Sequence, residues 1–206
     1  MGWGNMDKKE RQEKLKFLKK RLKRKFVEMA EPMNQLDYTR ENYDRLFPDS
    51  KISTPIGYVN LGKHQFEKLK ENDRENLLGA MYQTLLDPIV VINENDNGKK
   101  AQLYSKSFKN AEEKLKGVIS VVVDIDGTNV AISTHRRDPN NIINKIKKTA
   151  DLLYEKQIGD VGTAGTDPYS LNLAISDDTQ SLDRTLPTHS NVPQTTTNVN
   201  GKNLKS

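Results

Sequence analysis

Residues 117–135 read GVISVVVDIDGTNVAISTH. Two β-branched runs flank Asp126-Gly127, a dipeptide suited to the positive backbone angles of a two-residue hairpin turn. The segment therefore predicts a pair of antiparallel strands. Upstream, PIVVINE (88–94) and the alternating KAQLYSKSF (100–108) flank Asn97-Gly98 and predict a second hairpin.

The letters VVVDIDGT at 121–128 also match the strand plus DxDGT signature of haloacid-dehalogenase-type phosphatases. In that chemistry Asp124 would take a phosphoryl group, Asp126 would act as acid/base and Mg²⁺ would clamp the charge. That fold needs a helix and a further structured region after the strand. Here VAIS follows almost at once, and Ser176-Asp177-Asp178 falls in a low-complexity stretch. A hairpin turn accounts for the same letters.

Around the hairpins, Ile56–Leu61 alternates as a short first strand closed by Gly62, and Lys63–Lys70 offers one or two helical turns. Asn72-Asp73-Arg74-Glu75 has the spacing of a capping box. It precedes Leu77, Leu78, Met81, Leu85 and Leu86 on one helical face, and Asp87-Pro88 ends that helix. Asp138-Pro139 opens a last helix with the stripe Ile142, Ile143, Ile146, Ala150 and Leu153. The expectation is an α+β domain at 51–157, with a small antiparallel sheet of two hairpins plus a short first strand and helices packed on one face.

The flanks differ in composition. Residues 1–50 read as a basic N-terminal helical arm and connector. In segment 7–31, Leu15, Leu18, Leu22, Phe26 and Met29 recur at helical spacing, and Pro32 stands where the helix should stop. Such a helix is either a solvated arm or a contact for RNA, a membrane surface or a partner. Residues 34–55 suggest a short helix and a connector. Residues 158–206, dominated by Gly, Thr, Asp, Ser, Asn and Pro, lack the apolar anchors to offset ordering entropy and are expected to be flexible.

Residues 8–25 hold eleven Lys or Arg against Glu10 and Glu13, so a net charge of +5 hides a mildly acidic remainder. The basic pI is therefore weak evidence for nucleic-acid binding. With no cysteine, thiol nucleophiles, disulfides and thiolate zinc sites are excluded. No apolar run is long enough for a transmembrane helix, and Met1–Met6 leads into charges instead of a signal region.

The chemistry-bearing residues gather at the ends of predicted strands. Lys63-His64 follows the first strand, and Ser133-Thr134-His135-Arg136-Arg137 closes the last. Imidazoles beside cations can cut RNA without a metal. One takes the 2′-hydroxyl proton, another protonates the leaving 5′-oxygen, and cations stabilise the phosphorane. Each histidine can equally cap or pack, and STHRRDP can be a solvated strand exit. Tyr104 and Lys106 share a strand face with Gln102, either a phosphate-binding face or the wet side of a half-buried sheet. Arg74 reads more simply as helix surface, and His189 as chemically silent.

TPIGYVNLGKH, NDRENLLGAMYQTLLDPIVVINE, LYSKSF, GVISVVVDI, AISTHRRDPNNIINKI and LLYEK together resemble the phage-type nuclease domains of the barnase, EndoU, colicin and RelE-like superfamily. Those domains occur near the C-termini of polyvalent proteins of phages and conjugative elements. The resemblance covers about 51–157. It implies a metal-independent endoribonuclease of toxin type, acting in the cytoplasm of a bacterial host or recipient cell. It implies no cofactor, an RNA substrate and a possible immunity or antitoxin protein. By position, His64 falls at the family's histidine after the first strand, and Ser133, Thr134 and His135 at its T/S-x-H strand end. Arg74 and Tyr104 fall at family polar positions.

The resulting expectation assigns catalysis to His64, His135, Ser133 and Thr134, substrate binding to Lys63, Arg74, Tyr104, Lys106 and Arg136, and no metal. The competing expectation is a non-catalytic nucleic-acid- or protein-binding accessory module of a phage or mobile element.

Overall fold

The computed structural model describes residues 7–62, 64–96 and 99–158. Helix α1 (Lys8–Glu28) opens the described chain, entered through Asp7, whose carboxylate accepts from the Glu10 amide at 2.8 Å. A two-residue strand, β1 (Glu31–Pro32), and a short helix, α2 (Arg40–Leu46), follow. Next come β2 (Lys51–Thr54), β3 (Gly57–Leu61), α3 (Gln65–Glu71) and α4 (Leu78–Leu86). Long strands make up the centre: β4 (Val90–Asp96), β5 (Lys99–Lys109), β6 (Leu115–Ile125) and β7 (Thr128–Arg137). Helix α5 (Pro139–Asn144) and strand β8 (Leu152–Glu155) complete the fold.

Among the described residues, eight strands form one mixed sheet, curled into a half-barrel, in the order β2-β3-β7-β6-β5-β4-β8, with β1 paired to the end of β5. This corrects the expected small antiparallel sheet. The β4–β5 and β6–β7 hairpins do form antiparallel ladders, but β3 runs parallel to β7 and β1 parallel to β5. Three strands were hidden in the sequence, the first being β1 at Glu31–Pro32, where only the stop of a helix was expected. Residues 51–54, expected as connector, pair with β3, and 152–155, expected as the end of the last helix, pair with β4. Ladder irregularities at Val91/Ile92 and Val121/Val122 add the local bend that curls a sheet.

The last helix stops early for a local reason. The Asp151 carboxylate accepts from the Lys147 and Lys148 amides, both at 3.0 Å, which diverts those donors from a helical ladder. Leu152–Glu155 then gain backbone partners on β4. Leu153, placed by periodicity in a buried stripe, is 42% exposed. The capping box at 72–75 does not form either. Asp73 takes a positive φ of 52°, a 3₁₀ turn covers Glu75–Leu77, and α4 starts without a side-chain cap.

Helices cover both faces of the sheet, a second correction. On one face α1 and α5 bring Leu18, Leu22, Phe26, Ile142, Ile143 and Ile146 against Val90, Ile92, Leu103 and Ile119. On the other, Leu77 and Ala80 meet Phe108 and Val118. Leu22 and Phe26 are fully buried, so α1, read from sequence as part of an arm, contributes to the core. Its end is bolted to the last strand: Lys25 lies 2.8 Å from Glu155, and Arg21 donates to both Glu155 oxygens at 2.9 and 2.5 Å. The segment before α2 crosses α4 closely; a Cβ on Gly79 would lie 2.2 Å from the Asn34 carbonyl oxygen.

Candidate active site

The Asp126-Gly127 turn behaves as its letters require. Both residues have positive φ, 52° and 79°, and the Gly127 amide donates to the Asp124 carboxylate at 2.7 Å. Both carboxylates are exposed, Asp124 at the end of β6 and Asp126 in the turn. The Asn97-Gly98 turn lies outside the described residues.

At the other end of the same hairpin, alternation along β7 sends neighbouring residues to opposite faces. Ser133, His135 and Arg137 pair with Val121, Ile119 and Gly117 and share the α1/α5 face. Thr134 and Arg136 pair with Ser120 and Val118 and face the α4 side. The predicted cluster is therefore split by the sheet. Thr134 is 1% exposed, and its hydroxyl lies 2.9 Å from that of Ser120, a buried pair with no room for a phosphate. Arg136 instead borders a groove of about 550 Å³ with Pro32, Met33, Asn34, Asn110 and Lys116.

His135 is half-buried where β7 has outrun its neighbour. Strand β3 pairs with β7 only as far as Leu61 opposite Ala131, so the later residues of β7 form an edge. Arg74 crosses that edge and donates to the Thr134 carbonyl at 3.1 Å. This satisfies an otherwise open strand group and brings a guanidinium beside the imidazole. Burial, then Arg137, Arg74 and Lys145 in decreasing order, push the His135 pKa down to about 4. Lys145, at the C-cap of α5, is also ion-paired with Glu94 of β4. The imidazole is thus neutral at physiological pH and ringed by cations, and it forms no hydrogen bond among the described residues.

His64 follows the parallel strand in the chain. β3 leads through Gly62 to His64, an exposed residue at the N-cap of α3, and α3 packs on β7. Its side chain does not cap the helix, and no hydrogen bond joins the two histidines. Lys63 lies outside the described residues.

Comparison of the chain with family models, with curated proteins and with solved structures gives no match. Geometry alone therefore sorts the candidates. It brings His135 together with Arg74 and leaves Ser133 half-buried on the same face. It removes Tyr104 and Lys106, because the β5 face expected to be wet or phosphate-binding is packed under α4. Tyr104 is fully buried, its hydroxyl 3.2 Å from Thr54 and 3.3 Å from Gln102. Lys106 is 2% exposed, with its ammonium 2.7 Å from Asp87 and 3.0 Å from Glu31.

Two cations at His135, Arg137 and Lys145, were not among the residues assigned to the site from sequence. Arg137 was legible in the i, i+2 rule of a strand. Lys145 was not, since its place depends on α5 ending at Asn144.

Proposed function

We propose that the chain is a metal-independent endoribonuclease of toxin or effector type, cutting RNA by 2′-hydroxyl transesterification at His135. The observation that supports this reading is a half-buried imidazole kept neutral among Arg74, Arg137 and Lys145 at an open strand end. Cations around a neutral base suit a phosphodiester. A divalent metal would call for carboxylates in those positions.

In this reading the neutral imidazole accepts the 2′-hydroxyl proton as that oxygen attacks phosphorus. The new P–O bond closes a 2′,3′-cyclic phosphate while the bond to the 5′-oxygen breaks. The guanidiniums and the ammonium stabilise the extra negative charge on the phosphorane. An imidazole whose pKa lies near 4 is a base at neutral pH and gives no proton from the free enzyme, so His64 supplies the one for the 5′-oxygen. Arg136 and Thr134, on the far face, take no part. The site of action is the cytoplasm of a bacterial host or recipient cell, with an immunity protein as natural partner.

The test is incubation of the full chain with RNA in EDTA. Fragments with 2′,3′-cyclic phosphate ends, and none from a 2′-O-methyl strand, are the expected result. Strict dependence on a divalent metal overturns the proposal. Retention of RNA without cleavage favours the second reading, a non-catalytic nucleic-acid-binding module.

A further inference from the structure

Helix α1 sorts its charges into two rows. Glu10, Glu13, Phe17, Arg21, Arg24 and Glu28 follow one another at three- and four-residue steps and share one flank, as does Lys14. Its bases are paired: Lys14 with Glu10 at 3.5 Å, Arg24 with Glu28 at 2.8 Å and Arg21 with Glu155 at 2.5 Å. On the opposite flank Lys8, Gln12, Lys16, Lys19 and Lys23 form a row at the same steps, with Lys9 and Lys20 beside it and no acid among them. None of these six lysines forms an ion pair among the described residues. The row is about 22 Å long at 1.5 Å per residue.

The lysine flank does not end with the helix. Lys8 and Arg11 line a groove of about 360 Å³ with Lys147 and Lys148, from the loop after α5. Burial and the charges of Lys147 and Lys23 lower the pKa of Lys19, so these ammonium groups feel one another across the two elements. Two residues before Lys147 stands Lys145, one of the cations at His135. The row, the loop and the imidazole therefore lie along one connected face of the sheet, the face on which α1 and α5 pack together.

We propose that this lysine row and Lys147-Lys148 form a track for the phosphate backbone of RNA, which leads the strand past Lys145 to His135. Like charges without partners are unfavourable in the free protein and favourable once a polyanion covers them. A membrane surface fits less well, because the continuous apolar stripe of α1 is buried, Leu18, Leu22 and Phe26 being at most 6% exposed, which leaves Phe17 and Val27 as isolated exposed apolar side chains ten residues apart. The naming of RNA as the strand rests on the proposed function. The track itself does not.

The experiment measures binding of a labelled 2′-O-methyl RNA, which cannot be cut, to the full chain across a salt series. The variant K8Q/K16Q/K19Q/K23Q should bind on the order of 10–100-fold more weakly, with its salt slope reduced by about 3, at about 0.7 per lost contact. K147Q/K148Q, on a separate element, should weaken binding in the same direction, and R24Q, on the paired flank of α1, should bind as the parent does. Cleavage failing in the parent while these effects persist defeats the ribonuclease reading and leaves the track. Unchanged affinity and slope in both lysine variants overturn the track, as does lysine-dependent capture by phosphatidylserine vesicles without RNA binding.

Discussion

Lys106 and His135 are ionisable side chains on strands of one sheet, both singled out by the sequence, and the structure treats them oppositely. Lys106 sits on β5, which has α4 on one face and α1 on the other. Its ammonium is buried and held by Asp87 and Glu31, Asp87 in turn by Lys156 at 2.6 Å. Burial raises the Asp87 carboxyl, but Lys106 and Lys156 outweigh that and leave it below the ordinary value. His135 sits where β7 extends beyond β3, with three cations nearby and no acid among the groups that shift it. A polar group at the centre of a two-sided sheet must be satisfied internally, and one at an open edge is available to a ligand.

The comparison is broken most directly by exchanging what each residue does. His135→Ala should lower kcat/KM for RNA cleavage by about 10²–10⁴, the usual range for a general base, with little change in urea midpoint. An unchanged rate would place the chemistry elsewhere. Lys106→Met should do the reverse: a loss of about 3 kcal/mol in urea unfolding, because a buried pair loses one partner, with cleavage per folded molecule retained. If K106M unfolds at the parent midpoint, the buried network is not a structural bolt.

A smaller effect sharpens the same contrast from the covering side. Gly79→Ala pushes a methyl into the Asn34 carbonyl, 2.2 Å from the ideal Cβ position. This should cost about 1–3 kcal/mol in thermal or chemical unfolding, as the segment over α4 is displaced. His135 lies on the opposite face, so cleavage by the folded fraction should not change.

The difference between these regions explains what was legible in sequence. The Asp126-Gly127 hairpin and the stripe Leu77, Leu78, Met81 and Leu85 follow from local rules, and both are present. Whether β5 is covered once or twice is not local. Lys106 looked like a wet-face residue because alternation gives a strand's two faces without saying which helices lie on them. Residues 152–155 read as helix because the sequence does not announce the free edge of β4. At the candidate site, His135 and Arg74 were legible as types, and strand alternation alone separates His135 from Thr134 and Arg136. Lys145 depended on where a helix would stop.

Thr134 tests that separation by alternation. Thr134→Val keeps the shape and removes one partner of the buried Ser120 hydroxyl. It should cost about 1–2 kcal/mol, and adding Ser120→Ala should recover most of the loss. Cleavage should be unaffected by either change. A drop in kcat/KM for T134V with normal stability would return Thr134 to the catalytic face.

The mildest probe is pH. In the folded chain the His135 pKa is lowered to about 4, against about 6.5 for an unfolded histidine. Between those values the unfolded state binds more protons, so stability rises with pH through that window and is level above it. Burial is the largest cause of the shift, followed by Arg137 on the same strand, Arg74 ahead of α4 and Lys145 after α5, with Glu94 of β4 holding Lys145. His135 is only half-buried and solvent screens these charges, so the contribution is about 1 kcal/mol. Carboxylates titrate over part of the same range; subtracting the His135→Gln stability curve from that of the parent isolates the imidazole. The difference should fall as pH drops from about 6.5 toward 4, and the acid limb of kcat/KM should lie near the lower value. An acid limb at about 6.5 would mean that neither burial nor the cations act on His135, and its likeness to a solvated strand exit would stand.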